Sequence, residues 1–386
     1  MNLANWLICS TFMPPYKSGS GENAVRFAEY LVKNSYRVSL LTFINDRGLS
    51  NEDNTDISKT KLKLPRNNIF SKLWFRVLFC VRLPKILRNI SVVYIVGPCP
   101  GYKLLILGAK LLKLKVIFRS SLLTYNDLIY LSSKHTTLSN YFSNRIISLI
   151  DLYIAINKEF EKIWHSLPYK KNKVLLSTQG VDSTVFYPPT KHENNFYRTS
   201  LNLPPIDIPI IISVGNVTLR KGYDKIFRSL SHINHNFLYI ILGEYDLDSP
   251  NYFWVKKTKG VNLVELGKSL LKDKIQFMGY TENPDKYYKA ADLFVGFSEV
   301  EGFPNSILEA MACGLPIIYG NLKGVTDWIL FPDFSIVCDN ENDLTNAVTK
   351  LLVDKNKRLS MGKKSGEFAS SNFSFDIFLQ KINNLL

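Results

Sequence analysis

Long apolar runs are missing. No stretch of about 18 or more uncharged apolar residues occurs, and without one no helix spans a bilayer. The start lacks the basic n-region and small-residue cleavage site of a secretory leader, and residues 2–10 read instead as a first buried strand. Cysteine is sparse: Cys9, Cys80, Cys99, Cys313 and Cys338 are scattered, odd in number and free of any C-x-x-C pair. That excludes a disulfide framework and a zinc cluster and favours a reducing compartment. Low-complexity tracts and short-period repeats are absent, as is any recognised nucleic-acid-binding motif. The expectation is a cytoplasmic globular protein that binds no nucleic acid.

What the sequence does contain is an α/β pattern and an uneven charge. At 386 residues it exceeds one compact core and suits two domains. The net charge of +15 is concentrated, since residues 1–190 hold 26 Lys and Arg against 11 Asp and Glu while the rest holds 22 of each. A one-sided basic field attracts an anionic partner, such as a membrane surface or a phosphorylated substrate. Short apolar runs at 6–9, 38–43, 92–96, 116–118, 154–156 and 174–177 alternate with helical patterns such as 24–33. The polar stretch 45–60 reads as loop, and Pro188-Pro189 with 190–198 as a linker. A second series of apolar runs follows at 210–215, 237–243, 275–277 and 293–296. The pattern predicts two Rossmann-like, doubly wound α/β domains, 1–188 and 189–366, facing each other across a cleft.

The most specific segment is 298–316, SEVEGFPNSILEAMACGLP. A strand ending near Phe297 runs through a Gly302-Phe303-Pro304 turn into a helix from about Asn305. The amides of Asn305, Ser306 and Ile307 then point out of a helix N-terminus, an anion site suited to a diphosphate. Gly302 lets the backbone approach a ligand closely. Glu301 and Glu309 add two carboxylates, acceptors for ribose and sugar hydroxyls. An acid among Ile307, Leu308, Ala310 and Met311 needs a reason, because burying an unpaired charge is costly.

From Glu301 through Pro316 the string resembles the E-G-F-x5-E hallmark, continued as A-M-A-x-G-x-P, of retaining glycosyltransferases of family 4, which have the two-domain GT-B fold. The resemblance implies that Glu301 contacts the donor sugar and Glu309 the nucleotide ribose. Residues 215–222, GNVTLRKG, resemble the family's G-R-L-x3-K-G. There Lys221 grips the donor diphosphate, while Asn216 replaces a common arginine and Arg220 stands ready to compensate. Gly279-Tyr280 falls where the family places the nucleotide base. Gly180-Val181-Asp182 with Phe186 and Pro188 resembles a structural string closing the first domain, and Gly324 to Asp327 a further turn. Pro14-Pro15 through Gly19 resembles a P-P-x2-G-G loop that passes into a helix near Glu22 and aims amides at the donor. Many members carry a cleft histidine where this chain has Phe118-Arg119-Ser120-Ser121, with no histidine until His135. That makes Arg119 the acceptor-side candidate, for binding a phosphate or an acceptor oxygen, against the plainer reading of a surface salt bridge. A C-terminal helix, 367–386, is expected to pack back on the first domain.

These likenesses imply transfer of a hexose-type sugar from a UDP- or GDP-linked donor to a glycan or lipid-linked acceptor, with retention and without metal or other cofactor, in surface polysaccharide or lipopolysaccharide synthesis. Asp246-Leu247-Asp248 has the D-x-D spacing of metal-dependent transferases but follows Gly243-Glu244, out of that context. The alternatives are a nucleotide-sugar epimerase of the same fold and a non-catalytic basic binding protein. Residues 70–88, FSKLWFRVLFCVRLPKILR, place Leu73, Trp74, Val77, Leu78 and Val81 at helical spacing among Lys72, Arg76, Arg82, Lys85 and Arg88. They read either as an interfacial helix on an anionic membrane at the cytosolic face or as a core-facing helix with solvated charges. Pro84 is expected to end that helix.

Overall fold

The structure is a computed structural model that describes residues 4–11, 13, 19–44, 57–63, 68–121, 144–166, 173–245, 262–331 and 333–386. Residues 14–18, His135 and residues 246–248 therefore lie outside it. Two compact units form, one from Met1–Gln179 with Phe375–Leu386 and the other from Gly180–Ser374.

In the first unit β1 (Asn5–Ser10), α1 (Gly19–Lys33), β2 (Arg37–Ile44), β3 (Ser58–Lys63) and α2 (Ile69–Ile86) come first. Then follow β4 (Val92–Val96), α3 (Tyr102–Leu111), β5 (Lys115–Arg119), β6 (Leu152–Ala155), α4 (Lys158–Ser166) and β7 (Lys173–Leu176). The seven strands pair in parallel in the order β3-β2-β1-β4-β5-β6-β7. A parallel sheet needs crossovers and cover on both faces, which is why β4 is buried at every position. β3 corrects the expectation of loop through residue 60. Lysines alternate along it and only Leu62 is buried, which suits a sheet edge and hides it from an apolar-run reading. α1 starts at Gly19 rather than near Glu22. α2 continues past Pro84 to Ile86, although proline leaves the Cys80 carbonyl without its helical N–H partner.

The second unit contains α5 (Lys191–Ser200), β8 (Ile210–Val214), a 3-10 turn (Leu219–Lys221), α6 (Tyr223–Ser231), β9 (Leu238–Leu242), α7 (Leu263–Leu271), β10 (Ile275–Gly279) and α8 (Pro284–Ala290). It continues with β11 (Leu293–Gly296), α9 (Asn305–Ala312), β12 (Ile317–Gly320), α10 (Thr326–Ile329), β13 (Ser335–Cys338), α11 (Glu341–Val353) and α12 (Lys355–Phe373). Its six strands are parallel in the order β10-β9-β8-β11-β12-β13. α13 (Phe375–Asn383) belongs to the first unit.

The unit limits fall at 179/180 and 374/375 rather than at the expected 188 and 366, for packing reasons. Val181 N–H donates to the Phe373 carbonyl at 2.8 Å, Phe186 meets the Tyr288 ring edge-on and Pro188 sits against Gly314 and Gly366. Residues 180–189 thus pack on the second unit. The stretch 190–198 is a helix, not a linker: Thr190 and Glu193 form a reciprocal capping box at its start. In the first unit the core gathers Trp6, Phe27 and Tyr94 with Phe375 and Phe378 of α13, the last two 5.2 and 5.4 Å from the Phe27 ring. All five cysteines are free, yet Cys9 and Cys99 bring their buried sulfurs to 3.2 Å.

Candidate functional site

In the second unit strand order reverses between β8 and β11, and a doubly wound sheet binds ligands beyond the carboxyl ends of its strands at that reversal. Two segments meet there. After β8 the chain turns through Gly215 into the Leu219–Lys221 turn and then, at Gly222, into α6. Gly222 has φ +71°, and a Cβ there would lie 2.0 Å from the Phe297 carbonyl oxygen, so only glycine lets the turn pass the end of β11. This close passage carries Arg220 and Lys221 to the segment after β11. The Glu299 N–H donates to the Arg220 carbonyl at 2.8 Å and closes the junction.

One oxygen of Glu301 receives both cations. Lys221 Nζ lies 2.7 Å and Arg220 Nη1 2.9 Å from Oε1, and Arg220 Nη1 also donates to the Val300 carbonyl at 2.6 Å. The Glu301 side chain is 11% exposed, so this carboxylate is held inside the fold by its partners. Burial pushes its pKa up, but the Lys221 ammonium and then the Arg220 guanidinium outweigh burial and hold it below the ordinary value. The three groups keep a net positive charge.

α9 begins at Asn305 as expected, with Pro304 at its cap and no capping side chain or acid in its first turn. Phe303, Ile307 and most of α9 are buried, and the helix is seated against α12, where a Cβ on Gly362 would fall 2.3 Å from the Gly314 carbonyl oxygen. Glu309 is buried, and its Oε2 accepts from the Tyr288 hydroxyl at 3.0 Å. Tyr288 also reaches the Ser306 carbonyl at 3.3 Å, so a single hydroxyl ties the acid to the first turn of its own helix. Lys221, Ser213, Ser298, Ser306 and Tyr319 line one cavity at the end of the sheet. Beneath it the Tyr239 hydroxyl donates to Ser213 Oγ at 2.8 Å, and Ser213 donates to the Val295 carbonyl at 2.6 Å. Burial, with the Glu301 charge adding to it, raises the Tyr319 pKa and keeps its hydroxyl a neutral donor.

The structure thus joins Arg220, Lys221 and Glu301 directly and sets Ser306 beside Lys221 in one cavity. Asn216 turns its Oδ1 to the Glu244 N–H at 3.3 Å, tying the loops after β8 and β9. Gly279 has φ +74° and accepts from the Gly243 N–H at 2.8 Å, and Tyr280 next to it is partly exposed. Gly19 and Arg119 belong to the first unit. Arg119 is no surface ion pair. It is 3% exposed at the end of β5, donates from Nη1 to Asn23 Oδ1 at 2.8 Å and lies 5.9 Å from the centre of the Tyr94 ring. Among the described residues no carboxylate pairs with it, and burial lowers its pKa, partly offset by Tyr94. Sequence reasoning missed Tyr288 and Tyr319 as site groups. For Tyr319 the available signal was a hydroxyl on an aromatic residue inside the apolar run 315–319, whereas Tyr288 lies among polar residues and gave none.

Residues 202–368 match the family model of glycosyl transferases group 1. The chain is 24% identical over 235 residues to the O-antigen biosynthesis glycosyltransferase WclY of Escherichia coli, covering 61% of each. It is 22% identical over 222 residues to the N,N'-diacetylbacillosaminyl-diphospho-undecaprenol alpha-1,3-N-acetylgalactosaminyltransferase of Campylobacter jejuni, covering 56% of this chain and 55% of that one. Both alignments span less than two thirds of the relative's own length. Anabaena HepE, solved in complex with UDP and glucose, matches with a TM-score of 0.73 at 15% identity, covering 99% of this chain and 98% of that one. The fold is GT-B.

Proposed function

We propose that this chain is a glycosyltransferase of surface polysaccharide assembly, moving a hexose-type sugar from a UDP- or GDP-linked donor to a glycan or lipid-linked acceptor with retention. The observation that carries the reading is the cluster of Arg220, Lys221 and Glu301 at the sheet end, in the same unit as the N-terminus of α9, whose cap residue Pro304 has no capping side chain. A diphosphate meets two cations and a row of helix amides there, and these become worth more as negative charge grows on the leaving group. The bond from the anomeric carbon to the diphosphate breaks while the acceptor oxygen bonds on the same face, and the acceptor proton passes to the leaving phosphate. No protein nucleophile and no metal is assigned a step. Glu301 takes the sugar hydroxyls, Glu309 the ribose, and Gly279 with Tyr280 the base. Gly19 is assigned to donor binding and Arg119 to the acceptor. The polysaccharide context draws on the O-antigen enzyme, the lipid-linked acceptor on the Campylobacter enzyme and the nucleotide on the UDP complex.

Thermal unfolding in the presence of UDP, GDP and their sugars tests the donor half. A ligand at a hundredfold its Kd stabilises by about 2.7 kcal/mol. One nucleotide series is expected to raise Tm in the wild type and much less in Lys221→Ala. NMR of the product of the stabilising donor is expected to show an unchanged anomeric configuration. No stabilisation by any nucleotide would sink the reading.

A further inference from the structure

Helix α2 is apolar on two opposite sides. Its inner side is fixed by Phe79, which is 1% exposed and rests against Gly101, while Leu83 abuts Gly108 of α3. Ile69, Phe70, Leu73, Trp74, Val77 and Val81 are 82, 85, 57, 64, 48 and 72% exposed. At about 100° per residue Phe70, Leu73, Trp74, Val77 and Val81 fall on the arc facing away from Phe79, with Ile69 at its edge. They form a ridge turned to solvent. Arg76 falls toward one side of that ridge, Arg82 and Lys85 toward the other. Neighbouring α3 adds exposed Leu107 and Leu111.

The segment that carries the ridge has charge of one sign. Residues 57–126 contain 14 Lys and Arg and no Asp or Glu. Lys103 of α3 has its pKa lowered by burial and then by the charge of Arg76, so cations crowd this surface. A second copy docking through α2 and α3 would set cations against cations, with no carboxylate in residues 57–126 to answer them. Among the described residues no helix is long and apolar enough to cross a bilayer, so the ridge is not a buried span.

We propose that the α2–α3 face seats the protein on an anionic membrane interface. Phe70, Trp74 and the aliphatic ridge enter the headgroup–acyl boundary, and the flanking cations reach lipid phosphates. The seating lies wholly within the first unit and rests on no part of the sugar-transfer reading.

The test uses the full chain, without donor or acceptor, and vesicles of phosphatidylglycerol with phosphatidylcholine or of phosphatidylcholine alone. Sedimentation is expected with the anionic vesicles only, weakening as salt screens the cations. Each cation near such a surface is worth about fivefold in partition, so Arg76→Gln with Arg82→Gln and Lys85→Gln together lowers binding on the order of a hundredfold. Phe70→Ser with Trp74→Ser is expected to abolish it. All five positions are exposed, so both variants keep the wild-type melting temperature. Brominated phosphatidylglycerol is expected to quench a fluorescence component missing from Trp74→Phe. Equal binding by wild type and variants overturns the proposal, as does indifference to lipid charge. So does a stable dimer with no affinity for vesicles. Because no nucleotide is present, failure here leaves the transferase reading standing, and failure of that reading leaves this one.

Discussion

A carboxylate shared by two cations is tied to the fold through its charge, and Glu301 shows this in its pKa. Burial raises it, and Lys221 and Arg220 together bring it below the ordinary 4.5. A carboxyl whose folded pKa lies below its unfolded one contributes stability that is fully present above the unfolded value. That contribution is lost as pH falls through the folded value. The stability gap between wild type and Glu301→Gln is therefore expected to be level from neutral pH down to about 4.5 and to shrink below it. With Arg220 partly solvated, the gap at neutral pH should be about 1–2 kcal/mol, measured by urea denaturation at a series of pH values. A gap that widens in acid contradicts the cluster. Much of this residue's place was legible beforehand, because the string from Glu301 to Pro316 carries its own turn, cap and acids. Tyr288 was not. It lies on α8, and only the packing of Phe186 and α9 around it brings its hydroxyl to Glu309.

Among elements, α5 departs most from its reading. Lys, His, Glu and Asn after Pro188-Pro189 look like a linker, yet Thr190 and Glu193 already spelled a capping box. What composition hid was Arg198, whose side chain is 1% exposed. It donates to Asp292 at 2.6 Å and to the carbonyls of Ala290, Pro205 and Ile208, joining α5 to the turn before β11 and the start of β8. Asp292 in turn accepts from the Ile210 N–H at 2.7 Å. Nothing local in the sequence points an arginine inward, because its partners are backbone oxygens that exist only after folding. Replacing it by methionine keeps the volume and leaves Asp292 and those carbonyls without their donor. Arg198→Met is expected to lose about 3–5 kcal/mol, seen as a lower urea midpoint, whereas the neighbouring exposed Thr199→Ala stays within about 0.5 kcal/mol. Equal small losses would mean that water replaces the guanidinium and that α5 is merely laid on the surface.

For the whole molecule the deciding element is α13, which returns to the first unit after the second is complete. The GT-B likeness implied a crossing helix, but its start at Phe375 rather than 367 follows from α12, whose continuous run to Phe373 stays on the second unit. Phe375, Phe378, Leu379 and Ile382 are all buried in the first core, and the Tyr30 hydroxyl donates to Asp376 at 2.5 Å. Burying four such side chains is worth about 6–12 kcal/mol, as much as the stability of an ordinary domain. Removing residues 375–386 is therefore expected to unfold the first unit and spare the second, whose core contains none of them. Hydrogen exchange provides the readout. Protection should vanish from β1, β2 and α1 while β8, β9 and β11 keep theirs, and calorimetry should lose one transition and retain another. Protection persisting in β1 would show that the first sheet closes its core unaided. If β8 loses protection together with β1, the second unit does not hold its fold once the first is lost, and the two unfold as one.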